Sequence, residues 1–165
     1  MQRNEHKVKI LKASNYLEND HKLFSAIVAK AYNVTDHICK DYPQFFSWYW
    51  EKTVPEVFKR TRDILMATVN EEVAGVIFLK KEGNEKKICT LFVLEEYRKQ
   101  GIATALLQEA FKYLGTTRPL VSIADYKLDQ FSSIIKKYDW KETQILSDSY
   151  YNNTSREIVF NGKIP

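Results

Sequence analysis

Residues 88–114 constrain this chain more than any other stretch. The apolar, β-branched run Ile88-Cys89-Thr90-Leu91-Phe92-Val93-Leu94 reads as a strand, a short acidic link follows, and Arg98-Lys99-Gln100-Gly101-Ile102-Ala103-Thr104 opens a helical pattern. A strand that passes through a glycine-containing turn into a helix start presents unpaired backbone N–H groups and the positive end of the helix dipole, a setting that suits an anion such as a pyrophosphate. Gly101 lets an oxygen-rich ligand approach the backbone, the Thr104 hydroxyl can donate to phosphate, and Arg98 and Lys99 add positive charge. Downstream, Ile102, Ala105, Leu106, Ala110 and Tyr113 fall at helical spacing, and Leu107, Phe111 and Leu114 widen the apolar stripe, so much of this helix is expected to be buried and its N-terminus rigid. The same spacing also fits an ordinary strand–turn–helix with basic turn residues, and one glycine does not decide between the two. Neither G-x-x-x-x-G-K-S/T nor G-x-G-x-x-G occurs, which argues against a P-loop nucleotidase and a Rossmann dinucleotide site.

The flanking sequence supplies the rest of a mixed sheet. Lys7–Ala13 alternates and predicts an opening strand. Asp20 is a candidate N-cap for a helix over 21–32, and Asp36 for another over 37–51 that Pro43 can split. Thr53-Val54-Pro55-Glu56 predicts a short helix ending near Arg60. Ile64–Val69, Val73–Lys80 and Lys86–Leu94 predict a β-meander with short turns. The glycine-led helix covers 100–114, Arg118–Ala124 is a strand, and 127–137 is a helix carrying Leu128, Phe131, Ile134, Ile135 and Tyr138. Trp140–Leu146 and Glu157–Phe160 complete the order as two strands joined by the polar loop Ser147–Ser155. The strand–helix–strand crossover through 88–124 makes those two strands parallel, and the remaining pairs are expected to be mainly antiparallel.

Composition narrows the classes. The 165 residues predict one domain over 1–165, with 44% hydrophobic and 28% charged residues as in a soluble globular protein. The net charge of +4 suits an anionic ligand but is too weak and dispersed to argue for nucleic acid. Cys39 and Cys89 form no CxxC, Cys89 reads as a buried strand residue, and His6, His21 and His37 are scattered, so no metal site is expected. No apolar run approaches a membrane span and Met1–Lys7 lacks a signal-type apolar region, which points to a cytoplasmic protein in which the N-x-S/T matches at Asn33 and Asn153 are chance.

The 88–114 stretch resembles the acetyl-coenzyme A signature of the GNAT superfamily of N-acetyltransferases. Leu91-Phe92-Val93, a five-residue interval and Lys99–Thr104 follow that layout, and Arg98-x-x-Gly101-x-Ala103 fits its core Q/R-x-x-G-x-G/A. The resemblance implies an α/β (mixed α+β) fold: a central mixed, mostly antiparallel sheet of about seven strands flanked by about four helices. It implies acetyl-coenzyme A as co-substrate. Backbone groups of Leu91 and Val93 would pair with the pantetheine arm, in a strand that includes Phe92. Arg98, Lys99, Gln100, Gly101, Ile102, Ala103 and Thr104 would surround the pyrophosphate. It also implies that two parallel strands part near this point, and that the Val93 N–H donates to the developing oxyanion.

Attack of an amine on a thioester needs a way to remove the ammonium proton, a donor for the oxyanion and an acid for the thiolate. The family often carries an acid tyrosine in the helix after the fifth strand. Aligning that pattern with Asp139-Trp140 puts Ile135 in the tyrosine's place, Leu128 in the asparagine's and Phe131 in the small residue's. Tyr138 is the nearest substitute, displaced by about 300° and roughly 4.5 Å on a helix. Asp125 is the candidate base, with Glu51, Glu56 or water as alternatives. The Phe45–Trp50 aromatics are expected mainly to pack helix on sheet, with some free to wall an acceptor pocket. The resemblance implies a metal-free N-acetyltransferase that works by direct attack of a primary amine, on a small molecule or a protein, in a ternary complex. A non-catalytic coenzyme A sensor and a toxin-type aminoacyl-tRNA acetyltransferase are the alternatives, and a homodimer is left open.

Overall fold

A computed structural model describes residues 7–147 and 155–165. His6, Asn153 and most of the predicted Ser147–Ser155 loop lie outside the described residues. Seven strands form one sheet in the order β1-β2-β3-β4-β5-β7-β6. They are β1 Val8–Lys12, β2 Arg62–Val69, β3 Glu72–Glu82, β4 Glu85–Val93, β5 Leu120–Ala124, β6 Glu142–Leu146 and β7 Glu157–Phe160. Every neighbouring pair is antiparallel except β4–β5, as the crossover requires. The sheet is thus the mixed, mostly antiparallel one that the sequence predicts.

Helix α1 spans His21–Thr35, and the Asp20 carboxylate caps it by accepting from Leu23 N at 3.0 Å. The helix expected over 37–51 is broken, the split falling at Pro43. A 3-10 turn covers Asp36–Lys40, and the next helical stretch runs through α2 Phe45–Ser47, a π turn Trp48–Thr53 and α3 Val54–Phe58. Asp36 caps nothing: it already has helical angles and its side chain makes no cap bond. Pro43 explains the gap, because the residue before a proline avoids the α region. Pro55 explains the π turn, since a proline removes one i→i−4 bond and crowds the carbonyl four residues back.

Two cores sandwich the sheet. On one face α4 Ile102–Leu114 and α5 Leu128–Lys137 cover Leu65, Ile77, Leu79, Ile88, Val121 and Ile123. On the other face α1, α2 and α3 cover Ile64, Met66, Val76 and Phe78. β2 is buried at all eight of its positions because both faces are covered. The β2–β3 turn uses Asn70 and Glu71, both left-handed at φ 51° and 69°, which matches the type I′ twist of a two-residue hairpin.

One glycine sets where α4 rests. A Cβ on Gly75 of β3 would lie 2.9 Å from the Phe92 carbonyl oxygen, 3.1 Å from Ile102 Cγ2 and 3.3 Å from Leu106 Cδ1. The missing side chain therefore lets the first turn of α4 press onto β3 and β4. Gly75→Ala is expected to destabilise the fold by about 1–3 kcal/mol through overpacking, measured by urea unfolding. An unchanged midpoint would show that α4 can ride higher without penalty.

Candidate functional site

The site begins with a ladder that stops early. β4 and β5 share only the pairs Lys87–Leu120 and Ile88–Val121, although β4 runs on to Val93 and β5 to Ala124. A β-bulge lies at the same point: Phe78 pairs with Thr90 and Leu79 with Ile88, so Cys89 has no partner on β3. The bulge re-aims β4 just where it leaves β5. From Cys89 onward the edge of β4 facing β5 has no strand beside it, which is the parting the sequence resemblance implies.

Two cavities flank this gap and share walls. The first, of about 300 Å³, is lined by His37, Tyr42, Leu91, Phe92, Arg98 and Tyr126 among others. The second, of about 440 Å³, is lined by Trp48, Lys52, Arg62, Lys80, Glu85 and Lys87 among others. Ile38, Tyr42, Cys89, Thr90 and Ser122 border both, so the two cavities meet across the gap between β4 and β5. His37 packs its ring on Phe92 at 4.6 Å between centroids.

Leu91, Phe92 and Arg98 line the first cavity, while Val93 ends β4 and its carbonyl accepts from Arg98 Nε at 3.2 Å. The Gln100 side-chain amide donates to the Glu96 carbonyl at 3.0 Å, which folds the turn upon itself. Lys99 and Gly101 are left-handed, at φ 61° and 83°. Left-handed residues in such a turn are the backbone setting of anion-binding nests. Helix α4 therefore starts at Ile102, two residues after the predicted start, because Gly101 cannot be helical in that conformation. Gly101 supplies no side-chain cap to the first N–H groups, and a Cβ placed there would meet open space. This glycine serves its backbone angle and the approach of a ligand, not packing. Ile102 is buried against Gly75, Ala103 is half-buried, and Lys99, Gln100 and Thr104 are exposed.

The proton-transfer candidates fall elsewhere. Tyr138 is the C-cap of α5, and its ring packs edge-on against Phe111 at 4.8 Å, away from both cavities. Ile135 joins the same core, so the position aligned with the family tyrosine faces packing. Asp125, at the end of β5, pairs with Arg156 at 3.6 Å and lines neither cavity. Glu51 is exposed, and Glu56 is held by Arg62 Nε at 2.5 Å. Of the Phe45–Trp50 aromatics, Phe45 and Tyr49 are buried in the core, and Phe45 and Trp48 also wall the second cavity.

Sequence reasoning passed over Tyr42, Tyr126 and Glu157. The Tyr42 hydroxyl, on the border of both cavities, donates to the buried carboxylate of Glu157 on β7. The Tyr126 hydroxyl donates to Asp41, which also pairs with Lys127 at 3.7 Å. Partial desolvation first, then the Asp41 carboxylate, raises the Tyr126 phenol above its ordinary value, although the residue is 55% exposed. A glutamate inside the strand pattern Glu157-Ile158-Val159-Phe160 was the available signal, since a carboxylate is seldom fully buried unless paired. Among the described residues no His, Cys, Asp or Glu group could hold a metal ion, and no helix is long and apolar enough to cross a membrane.

The second cavity holds a network of charge. Lys80 Nζ meets Glu85 at 2.9 Å, and Arg62, only 4% exposed, packs its guanidinium over the Trp48 ring at 5.5 Å and donates to Cys89 Sγ at 3.4 Å. The hydrogen bond from Lys80, aided by the charges of Lys80, Lys87 and Arg62, holds the Glu85 carboxyl below its usual range.

The sequence profile described as the acetyltransferase (GNAT) family matches residues 26–119. No curated protein matches the chain. Solved structures share its fold. The ribosomal-protein-S18-alanine N-acetyltransferase of Escherichia coli is 17% identical with a TM-score of 0.66, over 93% of this chain and 92% of that one. Arabidopsis thaliana NAA60 in complex with acetyl-CoA is 15% identical with a TM-score of 0.63, over 93% and 97%. A GNAT family acetyltransferase from Elizabethkingia anophelis with acetyl-CoA bound is 16% identical with a TM-score of 0.56, over 93% and 95%.

Replacing Lys80 by Met is expected to return the Glu85 carboxyl toward the ordinary carboxylate range, read by side-chain carboxyl NMR titration. Wild-type Glu85 favours the fold above the ordinary glutamate pKa, and that contribution fades as pH falls through its lowered value. An unmoved titration would place the cause elsewhere.

Proposed function

The chain belongs to the GNAT acetyltransferase family, and on that premise we propose that it moves an acetyl group from acetyl-coenzyme A to a primary amine by direct attack, with residues 1–165 acting as one domain. The observation that carries this reading is the two-pair β4–β5 ladder, with a cavity on each side of the gap that follows it. The chain's residues fit the co-substrate. The free edge of β4 at Leu91 and Val93 suits an amide-bearing arm, and the left-handed Lys99–Gly101 turn with its uncapped helix start suits a pyrophosphate. Arg98 at the cavity rim and the exposed Lys99, Gln100 and Thr104 add donors there, with Ala103 small beside them.

Bound there, acetyl-coenzyme A supplies an acetyl group activated as a thioester. The protein's part is to seat an amine in the second cavity, remove its proton and hold the oxyanion. Tyr42 stands where the cavities meet, so its oxygen can accept the ammonium proton as its own passes to Glu157. The Val93 N–H remains the proposed oxyanion donor. Tyr126 lines the same cavity and is the proposed route by which a proton from solvent reaches the leaving thiolate, its own hydroxyl proton being replaced in turn. Tyr138 and Asp125, which line neither cavity, are assigned no step. Two phenols in the first cavity favour catalysis over a sensor role despite Ile135 in the family tyrosine's place.

Thiol release from acetyl-coenzyme A with a panel of primary amines tests the activity. Gly101→Glu is expected to abolish acetyl-coenzyme A binding in calorimetry, through bulk and negative charge at the phosphates, and retained affinity would sink the cofactor site. Tyr42→Phe is expected to lower kcat about 100-fold with a good acceptor, while Tyr138→Phe leaves kcat and its pH profile in place. The reverse pattern would return the proton-transfer role to Tyr138.

A further inference from the structure

The second cavity carries more positive charge than acetyl transfer needs. Arg62 of β2 stands directly opposite Lys80 of β3, which stands directly opposite Lys87 of β4. The three line one cavity, so they form a row of cations across three strands, and Lys52 joins them from the π turn. Like charges placed opposite one another weaken a sheet. The row is only partly neutralised, since Glu56 takes Arg62 and Glu85 takes Lys80. Lys52 and Lys87 add two further cations to the same cavity, and the charge of Lys87 also acts on Glu85. Glu85, held below its usual carboxylate range beside them, reports the sign of the local field.

A simple cationic amine is repelled by such a wall, whereas an amine that also bears an anion is drawn to it. We infer that the acceptor is a small amine carrying a carboxylate or phosphate, seated on the Arg62–Lys80–Lys87 row with Lys52 above it. This rests on the acetyl-transfer reading. The cavity, about 440 Å³, is the size of a metabolite site, and Phe45 and Trp48 give its carbon skeleton an apolar wall. Lys87 lies two residues before Cys89, where the cavities meet, so anion and amine sit about 7 Å apart along the strand, a separation of a few bonds. The same cations lower the pKa of the ammonium and so raise the fraction of neutral nucleophile.

Matched acceptors test this with the full chain and acetyl-coenzyme A: 2-aminoethyl phosphate against ethanolamine, 4-aminobutanoate against butylamine, and hexapeptides beginning Ala-Glu against Ala-Gln. At least one small anionic acceptor is expected to exceed its neutral partner about tenfold in kcat/KM, with the ratio shrinking as salt rises. Lys87→Glu and Lys52→Ala are expected to bring that ratio toward one. Equal rates within both small pairs, a ratio that survives Lys87→Glu, or acetylation confined to the peptides would overturn the inference. A binding arm works without turnover: succinate and inorganic phosphate are titrated by calorimetry into protein saturated with coenzyme A. Saturable binding of either that Lys87→Glu abolishes supports the anion site, and no binding of either overturns it. Failure of the acetyl-transfer reading would look different, as no thiol release with any acceptor while the anion titrations stand or fall on their own.

Discussion

The arrangement depends on a parallel strand pair that is allowed only two partners. A parallel ladder normally continues as far as both strands run, because each unpaired backbone group must otherwise find water or a ligand. Here β4 outruns its pairing with β5 from Cys89 to Val93, and the bulge at Cys89 turns it away. The free edge, the two cavities and their shared border all follow from that divergence. β5 is kept in place on its other side by four pairs with β7, so the gap opens in a sheet anchored on both flanks.

Keeping the gap open is a packing problem. On one face α4 is seated by Gly75, which brings Ile102 and Leu106 down onto β3 and points the helix start at the end of β4. On the other face the broken helical run of 45–58 buries Phe45 and Tyr49, whose hydroxyl donates to the Val28 carbonyl at 2.6 Å. The gap therefore lies between two rigid layers. The donor-side cavity is bordered by Arg98, which leads into the left-handed turn before α4, and the other cavity is lined by the cation row and by Phe45 and Trp48.

Most strands were legible because their patterns are local. β7 spans the residues predicted for it, and the Asp20 cap and the crossover order are as read. The divided helix was partly legible: Pro43 marked the split, but the apolar cluster does not reveal the π turn at Trp48–Thr53 ahead of Pro55. The site was legible at its phosphate end, where Gly101 and its neighbours are contiguous. It was illegible at the proton-transfer end: Tyr42 and Glu157 are 115 residues apart and meet only through the β5–β7 pairing. The cation row needs the register of three strands, because Arg62, Lys80 and Lys87 look like ordinary solvated charges along the chain. Tyr138 was sought by its distance from the family position, and the hydrophobic face of α5 decided instead that it would meet Phe111.

If the gap between β4 and β5 holds donor and acceptor together, both must be bound before the acetyl group moves. Initial rates with acetyl-coenzyme A and an acceptor varied against each other give the most direct check. Intersecting double-reciprocal lines are expected, and intact-protein mass spectrometry after incubation with acetyl-coenzyme A alone should show no added acetyl group. Parallel lines, together with an acetyl group on Cys89 where the cavities meet, would contradict it.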